Sequence, residues 1–163
     1  MTKLTELPFA KNNFRKRKVT STSKLDKNLW KEFSLFTRIR DADENGIASC
    51  ISCGKIVQVW FLDGRFNNQV HAGHFYNTGG HSQSLKYEEK NVNAQCYDCN
   101  MRKEGNKQGY EKGLVKKYGP EVLDFLEIKK SLRSPWSTSE YEILIKLYRG
   151  KVRQMKIDRG LSF

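Results

Sequence analysis

The sequence predicts an α+β fold, a small zinc-braced core of short strands flanked by α-helices. Three observations carry this. The four cysteines fall as two Cys-x-x-Cys pairs, Cys50/Cys53 and Cys96/Cys99. Apolar residues recur at helical spacing on either side of that region, and alternating apolar residues with turn signals lie inside it. At 163 residues the chain can bury one core without disulfide staples.

The elements follow in order. Residues 1–24 read as a basic flexible arm: from Lys11 to Lys24 there are six basic residues and no acid, including the run Arg15, Lys16, Arg17 and Lys18. Such a run is either a solvated tail or an arm laid on phosphates. An N-terminal helix occupies 25–46, its pattern strongest from Leu25 to about Asp43, with Leu25, Leu29, Phe33 and Phe36 as its stripe and Trp30 and Ile39 beside it. Ser23 is the expected N-cap. Val57, Val59 and Phe61 then alternate with Gln58 and Trp60, and Asp63-Gly64 signals a turn, so a hairpin is expected to leave the first cysteine pair and return towards His71. Residues 76–90, with Gly79-Gly80 and His81, read as a loop, and a short helix is expected at the second pair. Residues 111–163 are helical. A pattern over 108–118 stops at Gly119, Pro120 opens a second helix, and a third begins at Ser139, where Ser139 and Glu142 form a capping-box pattern.

The charge narrows the function. Thirty Lys+Arg against eighteen Asp+Glu give a net +12, which calls for a polyanionic partner, most simply DNA. No apolar run approaches the ~20 residues that span a bilayer, and no apolar leader is seen, so the expectation is a cytoplasmic protein with no membrane partner.

A Cys-x-x-Cys turn aims two thiolates at one point, and two such turns supply the four ligands of a tetrahedral structural zinc. Cys50, Cys53, Cys96 and Cys99 are therefore assigned one Zn²⁺. Forty-two residues separate the pairs, and this segment holds all three histidines. His71 and His74 lie three apart near its middle, Asn91 shortly precedes Cys96, and Asn100, Arg102 and Lys103 follow Cys99.

These residues resemble the HNH, or ββα-metal, nucleases, in which a His ends the first strand, an Asn precedes the second cysteine pair and a metal ligand opens the helix. His74, Asn91 and Asn100 occupy those places. The closer resemblance is to the NinG (Rap) family of lambdoid phage recombination proteins. It is carried by Cys-Ile-Ser-Cys-Gly at 50–54, Ala-Gly-His-Phe at 72–75, Gln-Cys-x-x-Cys-Asn at 95–100 and Gly-Asn at 105–106. Two departures stand out. The acid that many HNH enzymes carry just before the catalytic His is Gly73 here, and the acid that the NinG pattern tends to carry three before it is His71. The resemblance implies a zinc-braced HNH-like nuclease core over 47–110. Within it, His74 is general base, Asn91 orients the His74 ring, and His71 and Asn100 hold a catalytic Mg²⁺ or Mn²⁺. Arg102, Lys103 and the basic run Arg15–Lys18 are candidate DNA contacts.

The function expected from this resemblance is a structure-selective, metal-dependent DNA endonuclease that cuts branched recombination intermediates such as Holliday junctions and D-loops. The alternatives are an HNH endonuclease or nickase on ordinary duplex, and a zinc-ribbon DNA-binding protein without catalysis. If the chain is phage-encoded, its compartment is the host cytoplasm. Paired cuts in a near two-fold symmetric junction lead to the expectation of a homodimer, with the apolar stripes of the 25–43 helix and the last helix as interface material.

Overall fold

In the computed structural model, residues 21–77, 83–132 and 136–161 are described. The basic run Arg15–Lys18 and His81 lie outside the described residues. The described chain is a mixture of helices and two small antiparallel sheets.

Helix α1 (Thr22–Asp41) buries Leu25, Leu29, Phe33, Phe36 and Ile39, one face at spacings of three and four. It starts earlier than the sequence suggests, because Ser21 and not Ser23 takes the extended N-cap conformation. It also stops short of residue 46. Ala42 is already extended, and the Asp43 carboxylate accepts from the Asn45 and Ile47 amides at 2.9 and 2.8 Å. That pair of bonds forms the turn into the first strand.

Strand β1 (Ile47–Ser49) pairs with β2 (Ile56–Gln58), with Ala48 opposite Val57. The first cysteine pair occupies the turn between them, closed by Cys50 N–H to the Lys55 carbonyl at 2.8 Å. This corrects the expected hairpin. The strand after the knuckle pairs backwards to β1, and only the Trp60–Phe66 bridge forms across the Asp63-Gly64 turn. The returning segment becomes β3 (Val70–His74), which pairs with β4 (Val92–Cys96) so that His71 faces Gln95 and His74 faces Val92. Every residue of β4 is buried. A single wide helical turn follows (Asp98–Arg102), ended by Lys103 N–H to the Asp98 carbonyl.

Helix α2 (Lys107–Tyr118) straddles the expected boundary at 110/111 and lies against the first knuckle. Gly109 and Gly113 make that approach possible, since a Cβ on them would stand 2.1 Å from the Ser52 carbonyl and 1.9 Å from the Ile51 carbonyl. Gly119 ends the helix at φ +87°, and Pro120 precedes α3 (Glu121–Ser131). Tyr110, Leu114, Val122, Leu126, Phe75 and Leu85 form a small core between these helices and the β3–β4 ribbon.

Helix α4 (Thr138–Asp158) is capped two residues earlier than expected. Ser137 and Glu140, not Ser139 and Glu142, form the reciprocal capping box, because the chain is still extended at Ser137. Tyr148 of α4 meets Phe33 of α1 edge-on, with ring centroids 4.8 Å apart. The α1 stripe and the buried face of α4 belong to one core within a single chain. The apolar surface expected to serve a dimer is therefore already covered.

Two glycine substitutions should move stability in opposite directions. Gly113→Ala should lower it by about 1–3 kcal/mol through overpacking against the knuckle backbone. Gly150→Ala, in the exposed middle of α4 with nothing within 4 Å of the added methyl, should raise it by about 0.5–1 kcal/mol. Urea denaturation of the two variants beside the wild type checks both signs.

Candidate functional site

The two knuckles meet. Cys50, Cys53, Cys96 and Cys99 place their sulfurs within 4.8 Å of one another, and the Cys53–Cys96 pair is 3.9 Å apart. A tetrahedral zinc with Zn–S bonds of about 2.3 Å needs sulfurs about 3.8 Å apart. The cluster is therefore positioned to hold a metal ion and is compatible with a structural zinc. The surroundings suit thiolates, since the Cys96 N–H donates to Cys50 Sγ at 3.3 Å and the Asn106 amide donates to Cys99 Sγ at 3.4 Å. Burial pushes the Cys50 thiol up to about 12, so a cation is what would keep it ionised. With four thiolates filling the shell, such an ion braces the fold and leaves no open position for chemistry.

The cluster fixes the end of β4 and the turn after it, and this turn carries Asn100. Asn100 Nδ2 donates to His71 Nδ1 at 2.8 Å, while His71 Nε2 donates to the Asn68 carbonyl at 3.2 Å. The ring is thus held with Nδ1 unprotonated and its lone pair accepting from the Asn100 amide. His71 and Asn100, which the sequence pairs only through the family resemblance, are in contact.

His74 is on the opposite side of β3, as a spacing of three on a strand requires. Its ring stacks on Trp30 of α1 at 4.9 Å between centroids, and Nε2 lies 3.1 Å from the Lys86 carbonyl. A carbonyl only accepts, so Nε2 carries the proton and Nδ1 is left as the basic nitrogen. Lys86 is itself anchored, with its ammonium 2.6 and 2.8 Å from the Asp26 carboxylate. Burial lowers the His74 pKa below the ordinary imidazole value of 6.5, which keeps the ring neutral at pH 7.

Asn91 does not do what the resemblance implies. It is fully buried, but its amide closes on the Tyr76 backbone, accepting from the N–H at 2.9 Å and donating to the carbonyl at 3.2 Å, and donates to the Leu85 carbonyl at 3.0 Å. It pins the loop that carries Lys86, and the Lys86 carbonyl, not Asn91, sets the His74 tautomer. Two of the candidate DNA contacts, Arg102 and Lys103, are exposed on the turn, with Arg102 pairing to Asp98 at 3.1 Å.

His74, Asn100 and Glu104 line one cleft of about 550 Å³, with Tyr76 and Lys107 on its wall. The sequence reading missed Trp30, Lys86 and Glu104. Trp30 left a trace, as a large aromatic beside the helical stripe. Lys86 acts through its backbone and leaves none.

Comparison with known proteins gives one consistent answer. The family model described as Bacteriophage Lambda NinG protein matches residues 5–158. The chain is 30% identical over 125 residues to Protein ninG of Escherichia phage lambda, covering 77% of this chain and 54% of the relative. The same identity and length relate it to Protein ninG of Escherichia phage 933W and of Salmonella phage P22. The chain spans about half the length of the curated relatives it matches. No solved structure matches it.

Two measurements check this geometry. Metal analysis should find about one tightly held zinc per chain, and Cys96→Ser should abolish both the metal and the folded state, because binding energy at such a site is folding energy. A folded, zinc-free wild type would contradict this. The second is an NMR titration of the His74 ring, which should give a pKa below 6.5. The unfolded chain then takes up the proton first as pH falls, so the His74 contribution to stability is full above 6.5 and is lost as pH drops towards the folded value.

Proposed function

The chain belongs to the NinG family, and we propose that it is a metal-dependent DNA endonuclease acting on branched recombination intermediates such as Holliday junctions and D-loops. The observation that carries the reading is the cleft: a neutral, half-buried His74 with Nδ1 unprotonated shares it with Asn100, the first residue after the second cysteine pair. The sequence of elements also supports it, since two antiparallel strands and a helical turn around a four-cysteine cluster are the parts that an HNH-type site uses.

In this reading His74 Nδ1 takes the proton from a water that attacks phosphorus, and the P–O bond to the leaving strand breaks. Trp30 and the Lys86 carbonyl hold the ring, so the basic nitrogen is oriented before substrate arrives. His71 and Asn100 are the residues that would hold Mg²⁺ or Mn²⁺, the ion taking the place of the hydrogen bond that now joins them, and it would stabilise charge on the phosphate and the leaving oxygen. Arg102, Lys103 and the basic run Arg15–Lys18 would contact phosphates, a sequence-independent and salt-sensitive source of affinity. A junction needs cuts in two opposing strands, so a homodimer in the host cytoplasm is the working assembly, joined through a face other than the covered α1 stripe.

One observation favours a second reading, a zinc-ribbon DNA-binding protein without catalysis. Neither position 73 nor position 71 supplies a carboxylate. Incubating zinc-loaded protein and Mg²⁺ with a four-way junction, a matched duplex and a single strand separates the readings. We expect selective junction cutting that His74→Ala reduces by about 10²–10⁴-fold, while junction affinity, set mainly by phosphate contacts, stays within a few-fold. Equal cutting of duplex would make the protein a nickase, and binding without cutting would favour the zinc ribbon.

A further inference from the structure

The proposed ion site has a chemical gap. A histidine nitrogen and an amide oxygen are both neutral, whereas Mg²⁺ and Mn²⁺ are bound mainly through carboxylate oxygen and water. The position before His74 cannot supply a carboxylate, because an ideal Cβ on Gly73 would stand 2.1 Å from Gln95 Oε1 and 3.0 Å from Asn100 Oδ1. Gln95 cannot easily move aside. It is fully buried, and its amide is tied to Ser52 Oγ at 2.7 Å and to the Gly105 carbonyl at 2.6 Å.

We infer that Glu104 is the carboxylate ligand of the divalent-ion site, supplied from the loop after the knuckle turn in place of the acid that β3 lacks. The inference rests on the nuclease reading above. Glu104 lines the same cleft as Asn100 and His74 and is its one acidic residue among the described residues.

The backbone holds Glu104 at φ +48°, a left-handed conformation that side chains other than Gly, Asn and Asp rarely adopt. The surrounding bonds impose it: Lys103 N–H donates to Asp98, Gly105 N–H to Cys99 and Asn106 N–H to Lys103, each to the carbonyl at 2.7–2.9 Å. The cysteine knuckle therefore presents the residue at the mouth of the cleft. A glycine would sit there without strain, and strained residues of this kind gather at functional sites.

Two of the neighbouring cations have other contacts. Arg102 pairs with Asp98, and Lys107 lies over the Tyr76 ring at 5.2 Å. The Glu104 carboxylate has no hydrogen-bond or ion-pair partner among the described residues. Gln95 Oε1 is buried without a donor and lies with Asn100 Oδ1 about the position that a Gly73 Cβ would take. A buried carbonyl oxygen left without a donor is what a cation can use and what a purely hydrogen-bonded turn avoids.

The test uses Mn²⁺ alone, followed by electron paramagnetic resonance on zinc-loaded, DNA-free protein. The wild type should bind one Mn²⁺ per chain, and Glu104→Gln should weaken that binding by about tenfold or more, since ligand charge sets divalent-ion affinity. Glu104→Gly should weaken it as much while raising the melting temperature, because glycine relaxes the φ of +48°. Mn²⁺ binding unchanged in Glu104→Gln, or absent from the wild type, overturns the inference. The junction assay tells its failure from that of the nuclease reading. If Glu104→Gln cuts junctions at the wild-type Mg²⁺ requirement, this inference falls and the nuclease stands. If the wild type binds Mn²⁺ through Glu104 and cuts nothing, the ion site stands and the nuclease falls.

Discussion

Cys96 is the last residue of β4 and Cys99 lies inside the turn that follows, so drawing their sulfurs against Cys50 and Cys53 fixes where β4 ends and which way the chain leaves it. The register of β3 follows, with Val70 opposite Cys96 and His74 opposite Val92. Asn100 and Glu104 are carried by the same turn and the loop behind it. A ribbon of two five-residue strands has little stability of its own in water. Its geometry depends on what clamps its ends, and the cluster clamps one end directly.

The other end is held by a polar strand face. Asn91, just before β4, and Asn93 and Gln95 within it alternate with Val92, Ala94 and Cys96, and all six are buried. The apolar face joins the α1–α4 core, while the amides tie down the loops on the other side. Asn93 Oδ1 alone accepts from Arg40, Lys117 and Tyr118 at 2.8–3.1 Å. Buried amides cost stability unless they are satisfied, and satisfied they admit only one arrangement of their partners. In this chain every one of these amide groups but Gln95 Oε1 is paired, and their partners Tyr76, Gly105 and Tyr110 line the cleft.

Much of this was legible in the sequence, and the reasons differ from element to element. The cysteine pairs were readable because zinc ligation demands a spacing. Helices α1, α2 and α4 were readable because burial imposes a period, although the first residues of α1 and α4 depended on which of two neighbouring serines turned extended. The strand partners were not readable. Alternation at 57–61 shows that a strand exists, but the knuckle decides that it pairs with β1. Candidate residues could be named from residue type, as with His74 and Asn100, which line one cleft. Their surroundings were hidden where backbone does the holding, as at the Lys86 carbonyl beside His74, and the left-handed backbone that carries Glu104 in the cleft lining leaves no mark on the sequence. The role of Asn91 was misread because a motif fixes a residue's place and leaves its partners open.

The claim most exposed to test is that the cysteine cluster organises the cleft as well as stabilising the chain. The stacked Trp30 ring should shift the His74 ring protons upfield, which makes their NMR signals a local gauge of that geometry. Recording them in zinc-loaded protein, after chelation and after zinc is restored would settle the matter. The upfield shift should disappear with the metal and return with it. A shift that persists in soluble, zinc-free protein would show that β3 and α1 hold the site without the cluster, and would contradict that claim.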